Sequence, residues 1–440
     1  MIMNILELLP EVLDHIFSFC HKSQVLNFAC CCKLSYESVK HIIWRKLKIP
    51  WTALDPSTMK CYQKTRLDQE TLDNLKYSVS LHFYASDFNY LKVQTFSSLF
   101  PRYVYIISHC NPRKITQLTL DGIVDDAGLK VTSQTLTCLR ELSISYCSHI
   151  TEVGMGYLKT LRLVSVSIAN CRIQDSAIQK LSDVTTLRVL VVNNCPLLTS
   201  SGLLHLCKLN LTKLLISNAK RMHITGVNNI ENLKLLQQLS FCRANVTDST
   251  FTRLHSSLPL LEDLKLTGCK SISDEAIHSI CCIQSLKQLS IISCIGITNT
   301  AMRNICTRLT ELEKLSVCGN FSINDEGFRD IAKLRTLHSL DCSWTGMSDQ
   351  TMSFISSLTT LRHLNISGCK ITDKGLLDLM VLKSLRVLLV THCETINGIG
   401  LHHLGMLSSL NELDIRYCVN VDDEVLSGLF AMKWKKLRTM

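Results

Sequence analysis

A short phrase recurs thirteen times between Leu118 and Ile415: an apolar-x-apolar triplet, followed two or three residues on by a small residue, most often cysteine. The triplets begin at Leu118, Leu142, Val166, Leu190, Leu214, Leu239, Leu264, Leu289, Leu315, Leu340, Leu364, Leu388 and Leu413. Self-similarity at so nearly constant a spacing excludes most globular folds, because each repeat is one supersecondary unit that buries its apolar edge only against its neighbours. The chain is therefore expected to form a solenoid whose core grows with repeat number. This also explains how 440 residues at 46% hydrophobic content need no single large core.

Inside each repeat the order is constant. Leu142-Ser143-Ile144 reads as a strand, Cys147 as its exit, Ile150-Thr151 as a turn, and Gly154-Met155 as the opening of a helix. Ser273-Asp274 and Thr372-Asp373 sit where helices should begin, and such side chains accept from the free N–H groups of a first turn. A period of about 25 residues, with one strand and one helix in each, resembles the leucine-rich repeat. The fold expected is thus α/β, a leucine-rich repeat solenoid of about 13 repeats forming an arc or horseshoe over residues 115–440. Strands would line its inner face.

Twenty-two cysteines invite a chemical reading until they are placed. Cys147, Cys171, Cys195, Cys269, Cys294, Cys369, Cys393 and Cys418 share one column of the repeat, one rung apart, and are expected to pack as small apolar groups. No CxxC occurs, so neither a metal nor any other cofactor is expected. Asn320 and Thr345 replace cysteine in that column, as drift or as a local reshaping of the inner surface. Enzyme motifs of the GxSxG, HExxH and GxxxxGK[ST] kinds are absent, which makes a non-catalytic protein the expectation.

The net charge is +10, densest at Trp44–Lys48 and Lys433–Arg438, yet no nucleic-acid-binding motif accompanies it. No run reaches the roughly 18 apolar residues of a membrane span. The first residues do not read as a signal peptide, and no cysteine stands four from Met440 for prenylation. A cytoplasmic or nuclear protein with reduced thiols, binding neither membrane nor nucleic acid, is the expectation.

The first 48 residues differ from the rest. Pro10 suits the first turn of a helix carrying Val12, Leu13, Ile16, Phe17 and Cys20. Ser23 can cap a second helix with Val25, Leu26, Phe28 and Cys32, and a third is expected from about Ser35 to Leu47. Three short helices make a small core that a neighbour or partner usually completes. Leu9, Pro10, Glu11, Leu13, Ile16, Phe17, Val25, Leu26, Cys32, Lys33 and Trp44 stand in the order and spacing of an F-box, without a gap from Leu9 through Lys33. Cys20 stands where that motif usually has leucine, and Ser35-Tyr36 where it usually has tryptophan. The chain divides into an all-α F-box-like segment (4–48), a connector and irregular N-terminal cap (49–114), and the repeats (115–440). In this order the parts resemble an F-box and leucine-rich repeat protein of the cysteine-containing class.

That resemblance implies a substrate receptor of a Skp1–cullin–F-box ubiquitin ligase. The F-box would dock on Skp1, and through it on cullin and RING subunits, while the repeats hold a protein substrate for ubiquitination and proteasomal degradation. Skp1 contact is implied for Leu9, Pro10, Ile16, Phe17, Val25, Leu26 and Cys32. Two other readings stay open: a structural scaffold in a cytoskeletal or axonemal assembly, and a sensor whose ligand completes the inner face. Small polar residues such as Ser217, Ser240 and Ser290 dominate the middle of the strand face. Bulk and charge gather late, in Asp341, Trp344, His392, Asp414, Arg416 and Tyr417, the types that anchor interfaces and so the candidate substrate site.

Overall fold

A computed structural model describes residues 112–440 except 123, 220, 222, 225–229, 231, 253, 432, 433 and 440, together with residue 107 and the backbone of two strands, Lys46–Pro50 and Ser80–Tyr84. Chain contacts divide it into two compact units, Met1–Leu198 and Thr199–Met440.

In the first unit, strands Lys46–Pro50, Ser80–Tyr84, Gln117–Asp121, Glu141–Ser145, Ser165–Ala169 and Val189–Asn193 pair in chain order, all parallel. Each triplet start lies opposite the next, as Leu118 opposite Leu142 and Leu142 opposite Val166. The two earliest strands fall where the sequence reading placed the end of a third helix and a connector. Their paired leucines, Leu47, Leu81 and Leu118, stand much farther apart in sequence than one repeat, so a search at the repeat period passes over them. The candidate Skp1 contacts Leu9, Pro10, Ile16, Phe17, Val25, Leu26 and Cys32 lie outside the described residues.

The second unit carries the pattern on. Strands at Lys213–Ser217, Gln238–Cys242, Asp263–Thr267, Gln288–Ile292, Lys314–Ser316, Ser339–Asp341, His363–Asn365, Val387–Leu389, Glu412–Asp414 and Lys436–Arg438 pair in that order, again parallel. The last joins Leu437 to Leu413, so one more strand follows the thirteenth triplet. Parallel strands need a crossover, and a short helix supplies it in most rungs, as at Asp274–Ile280, Asn299–Arg308 and Asp349–Ile355. Both apolar residues of each triplet are buried: Leu264 and Leu266 are 0% exposed, as are Leu388 and Val390. Buried aliphatics contribute about 1.5–3 kcal/mol apiece, which is why the period dominates the sequence.

The thiol column is packed as expected, and it also has a polar duty. Each thiol donates to the carbonyl of the preceding rung's second apolar residue: Cys195 to Ile168, Cys269 to Phe241, Cys393 to Ile366 and Cys418 to Val390. Those carbonyls sit beside the buried core, where a missing partner is costly. Asn320 keeps the duty with stronger groups. Its Nδ2 donates to the Ile291 and Val317 carbonyls at 2.7 and 2.8 Å, and its Oδ1 accepts from the Cys294 amide at 2.9 Å. Thr345 donates to the Cys342 carbonyl at 2.8 Å. Asn320 therefore keeps the link between rungs, whereas Thr345 donates within its own rung, and both side chains are buried.

A second ladder runs along the helix starts. Asp248 accepts from the amide and hydroxyl of Ser273 in the next rung, both at 2.7 Å, and Asp349 does the same for Thr372 at 2.8 and 2.6 Å. Asp325 accepts from Ser348 and Thr351. Burial pushes the Asp325 carboxyl up, but the hydrogen bonds from Thr351 and Ser348 outweigh it and hold the group below the ordinary carboxylate range. Aspartates at the helix starts thus clamp one rung to the next, Asp274 and Asp373 among them.

Candidate functional site

Four residues after each triplet start in the second unit, the backbone turns left-handed. The position is filled by Asn218, Arg243, Gly268, Ser293, Gly319, Trp344, Gly368, His392 and Tyr417, with φ between 49° and 73°. Glycine and asparagine enter this region readily, whereas bulky side chains are held there at a cost of about 1 kcal/mol or more. The rung geometry requires the turn but no aromatic ring at it. Trp344, His392 and Tyr417 therefore depart from the small residues of the other rungs, as do Arg243 and, in the first unit, Tyr146.

Because they occupy equivalent places in nearby rungs, these three side chains meet. The His392 and Tyr417 rings are stacked, with centroids 4.4 Å apart and planes 15° from parallel. The Trp344 and His392 centroids are 5.5 Å apart at 47°. An empty position makes this reach possible. Gly368 lies in the rung between them, and a Cβ there would come within 2.5 Å of Trp344 Cδ2. The indole accordingly lies across Gly368 toward His392. All three rings remain accessible: Trp344 is 42% and Tyr417 57% exposed, and His392 is exposed as well.

The charged candidates have different fates. Asp414 is buried and accepts from Arg416 Nε at 2.9 Å and Nη2 at 2.7 Å, as well as from Arg438 Nη1 at 3.3 Å. Burial alone pushes its carboxyl up, yet hydrogen bonding to Arg416 and then Arg438 leaves it below the ordinary carboxylate range. Asp414 therefore orients two guanidinium groups and does not itself face outward. Asp341 is half-buried and accepts from the amide and hydroxyl of Ser343 at 3.1 and 2.6 Å and from the Ser316 hydroxyl at 3.3 Å. It belongs to a polar network and is joined to neither the aromatic row nor the arginine pair by any of these bonds.

Of the six late candidates, Trp344, His392 and Tyr417 form one row, Asp414 and Arg416 form an ion pair beside its end, and Asp341 stands apart. Arg438 and Gly368 were missed. Arg438 could have been found by carrying the register one step past Asp414, since Leu437 stands one repeat, 24 residues, after Leu413. Gly368 gives no signal in the sequence, because its importance comes from a neighbour's ring. Among the described residues no group of three His, Cys, Asp or Glu side chains is placed to hold a metal ion. Nor does any described helix have the length and apolarity to cross a membrane.

Comparison with known proteins agrees with this architecture. Residues 357–380 match the model of a family described as leucine-rich repeat. The Rad7 structure from the Rad7–Elc1 complex of yeast superposes with a TM-score of 0.54 at 15% identity, covering 84% of this chain and 92% of the other. An internalin from Listeria monocytogenes matches with a TM-score of 0.44 at 20% identity, covering 89% and 97% of the two chains. The fold is that of a leucine-rich repeat solenoid. Repeats of this kind serve protein–protein interaction, and the exposed aromatic and arginine side chains are residue types suited to it.

Proposed function

We propose that this protein is the substrate-recognition subunit of a Skp1–cullin–F-box ubiquitin ligase, with the segment 4–48 engaging Skp1 and the strand face of the second unit engaging a protein substrate. One juxtaposition carries the reading: an F-box-like stretch from Leu9 to Trp44 precedes, in the same chain, a repeat solenoid bearing an exposed aromatic row beside two arginines. Rad7, whose fold this chain shares, has been solved in complex with Elc1, which supports the idea of such a solenoid acting as a bound subunit.

The mechanism is tethering. A receptor that holds substrate and ligase together turns an encounter between them into an intramolecular one, raising the effective concentration of substrate lysines near the ubiquitin donor. No nucleophile is required of this chain. Leu9, Pro10, Ile16, Phe17, Val25, Leu26 and Cys32 would supply the apolar contact with Skp1, and cullin and RING subunits would follow through Skp1.

The test is affinity purification of the full-length protein from cells, with Skp1 and cullin quantified against the bait. Recovery in near-equal amounts, lost in the Leu9→Ala/Pro10→Ala double variant, is the expected outcome. Skp1 recovery unchanged by that double substitution would overturn the assignment.

A further inference from the structure

We propose that the row Trp344–His392–Tyr417, together with Arg416 and Arg438, is a docking site for an acidic, apolar-rich peptide segment of a partner protein. The proposal rests on the reading above only in placing the partner on the strand face of the second unit.

Three observations lead to it. The first is conformational. Trp344, His392 and Tyr417 hold left-handed backbone at φ 55°, 57° and 63°, where Asn218, Gly268, Gly319 and Gly368 fill the equivalent place without strain. Arg243 and Tyr146 carry the same strain singly, at φ 49° and 55°, whereas here three bulky residues hold it in nearby rungs, and strained positions cluster at functional sites. The second is geometric. The three rings converge into one accessible row across Gly368, and aromatic side chains clustered in this way bury large area at small loss of side-chain freedom.

The third is charge. One buried carboxylate, Asp414, faces two guanidinium groups. Arg416 is engaged through two nitrogens, but Arg438 reaches that carboxylate through a single nitrogen at 3.3 Å. Lys435 and Lys436 stand exposed in the same rung as Arg438, with Glu412 3.6 Å from Lys436. Of the other acidic groups near the row, Asp341 is already taken by Ser343 and Ser316, while Glu394, two residues after His392, is exposed and leaves four cations against three carboxylates. The end of the row is therefore net cationic, with guanidinium donors to spare for a carboxylate. His392 and Tyr417 lie face to face, so each ring has one face fewer for a base to stack on, which favours a peptide over single-stranded RNA.

The experiment is a selection from a random dodecapeptide phage library on the full-length protein, with counts for each residue type compared with the unselected library. Two variants accompany it. Trp344→Asn/His392→Asn/Tyr417→Asn removes the rings while supplying the residue the fold itself uses at Asn218, and Arg438→Gln removes one cation. Cooperative urea unfolding with midpoints no lower than that of the parent protein shows that both variants are folded. Expected is a selected pool enriched in Asp and Glu alongside Leu, Phe or Trp. A synthetic peptide from it should bind at least 10-fold more weakly to the triple-Asn variant, and several-fold more weakly to Arg438→Gln. A neutral or basic pool, no pool at all, equal binding to the folded variants, or complete displacement of the peptide by oligo(U) RNA overturns the proposal. Leu9→Ala/Pro10→Ala should leave peptide binding unchanged. Skp1 recovery unchanged in that variant overturns the ligase reading alone, whereas failure of the peptide arm, with Skp1 bound by the parent protein and lost in the variant, overturns the docking site alone.

Discussion

Replacing Asn320 by alanine should be among the most damaging substitutions in the second unit, although the residue is small and takes no part in the aromatic row. Asn320 is 2% exposed, and its amide satisfies three backbone groups: the carbonyls of Ile291 and Val317 and the N–H of Cys294. A hydrogen bond is worth about 1 kcal/mol net, and a buried polar group left without its partner costs about 1–3 kcal/mol. Three groups affected at once give about 4 kcal/mol for Asn320→Ala. Asn320→Cys restores the residue that neighbouring rungs use. A thiol there can donate to the Ile291 carbonyl as Cys269 does to that of Phe241, at 3.5 Å, leaving chiefly the Cys294 amide unpaired. With one such group orphaned and one weaker bond in place, that variant should lose about 2 kcal/mol. Urea unfolding followed by circular dichroism gives the ranking, and hydrogen exchange localises it, with the Cys294 amide opening in both variants. An Asn320→Ala loss no larger than the roughly 0.5 kcal/mol of an ordinary surface substitution would refute the view that this column serves the strand carbonyls. So would an Asn320→Cys variant less stable than Asn320→Ala.

Other consequences follow from the same contacts. Asp325→Asn should lower stability by about 1–2 kcal/mol at pH 7, because hydrogen bonds from Ser348 and Thr351 to a charged acceptor are weakened. The Asp325 carboxyl is held below its ordinary range, so its contribution is fully present above about pH 4 and is lost as pH falls through the depressed value. Urea midpoints of parent and variant should therefore converge only below about pH 4. Burial pushes the Cys171 and Cys393 thiols up to about 12 and that of Cys195 up to about 11. With iodoacetamide at mildly alkaline pH, mass spectrometry should find exposed Cys282 modified while these three stay intact in the folded protein. Gly368→Ala should cost about 2 kcal/mol, from strain at φ 66° and from collision with Trp344. In a Trp344→Asn background about 1 kcal/mol should remain, a coupling that a double-mutant cycle measures.

The sequence disclosed those features of the fold that repeat locally. Every triplet start from Leu118 to Leu413 lies in a strand, because each buries two apolar residues in a fixed register. The strands holding Leu47 and Leu81 escaped, since their wider spacing breaks the period while leaving the pairing intact. In the candidate site, the identities of Trp344, His392 and Tyr417 were readable but their convergence was not. It depends on the left-handed turn placing each side chain alike, and on the missing Cβ of Gly368. Asp414 read as an outward-facing charge for a related reason. Its burial comes with Arg438 in the following rung, a contact between residues 24 positions apart that alternation along one strand does not reveal.

The account turns on which face of the second unit meets a partner, and site-specific photo-crosslinking measures this directly. A benzophenone side chain placed at exposed His363, on the strand face, is compared with one at Met406, which is 70% exposed and follows the helix Ile399–Leu404. The account predicts a crosslinked partner from position 363, absent from position 406 and lost when Trp344, His392 and Tyr417 are replaced by asparagine. Equal crosslinking from position 406, or a 363 adduct indifferent to loss of the three rings, would contradict it.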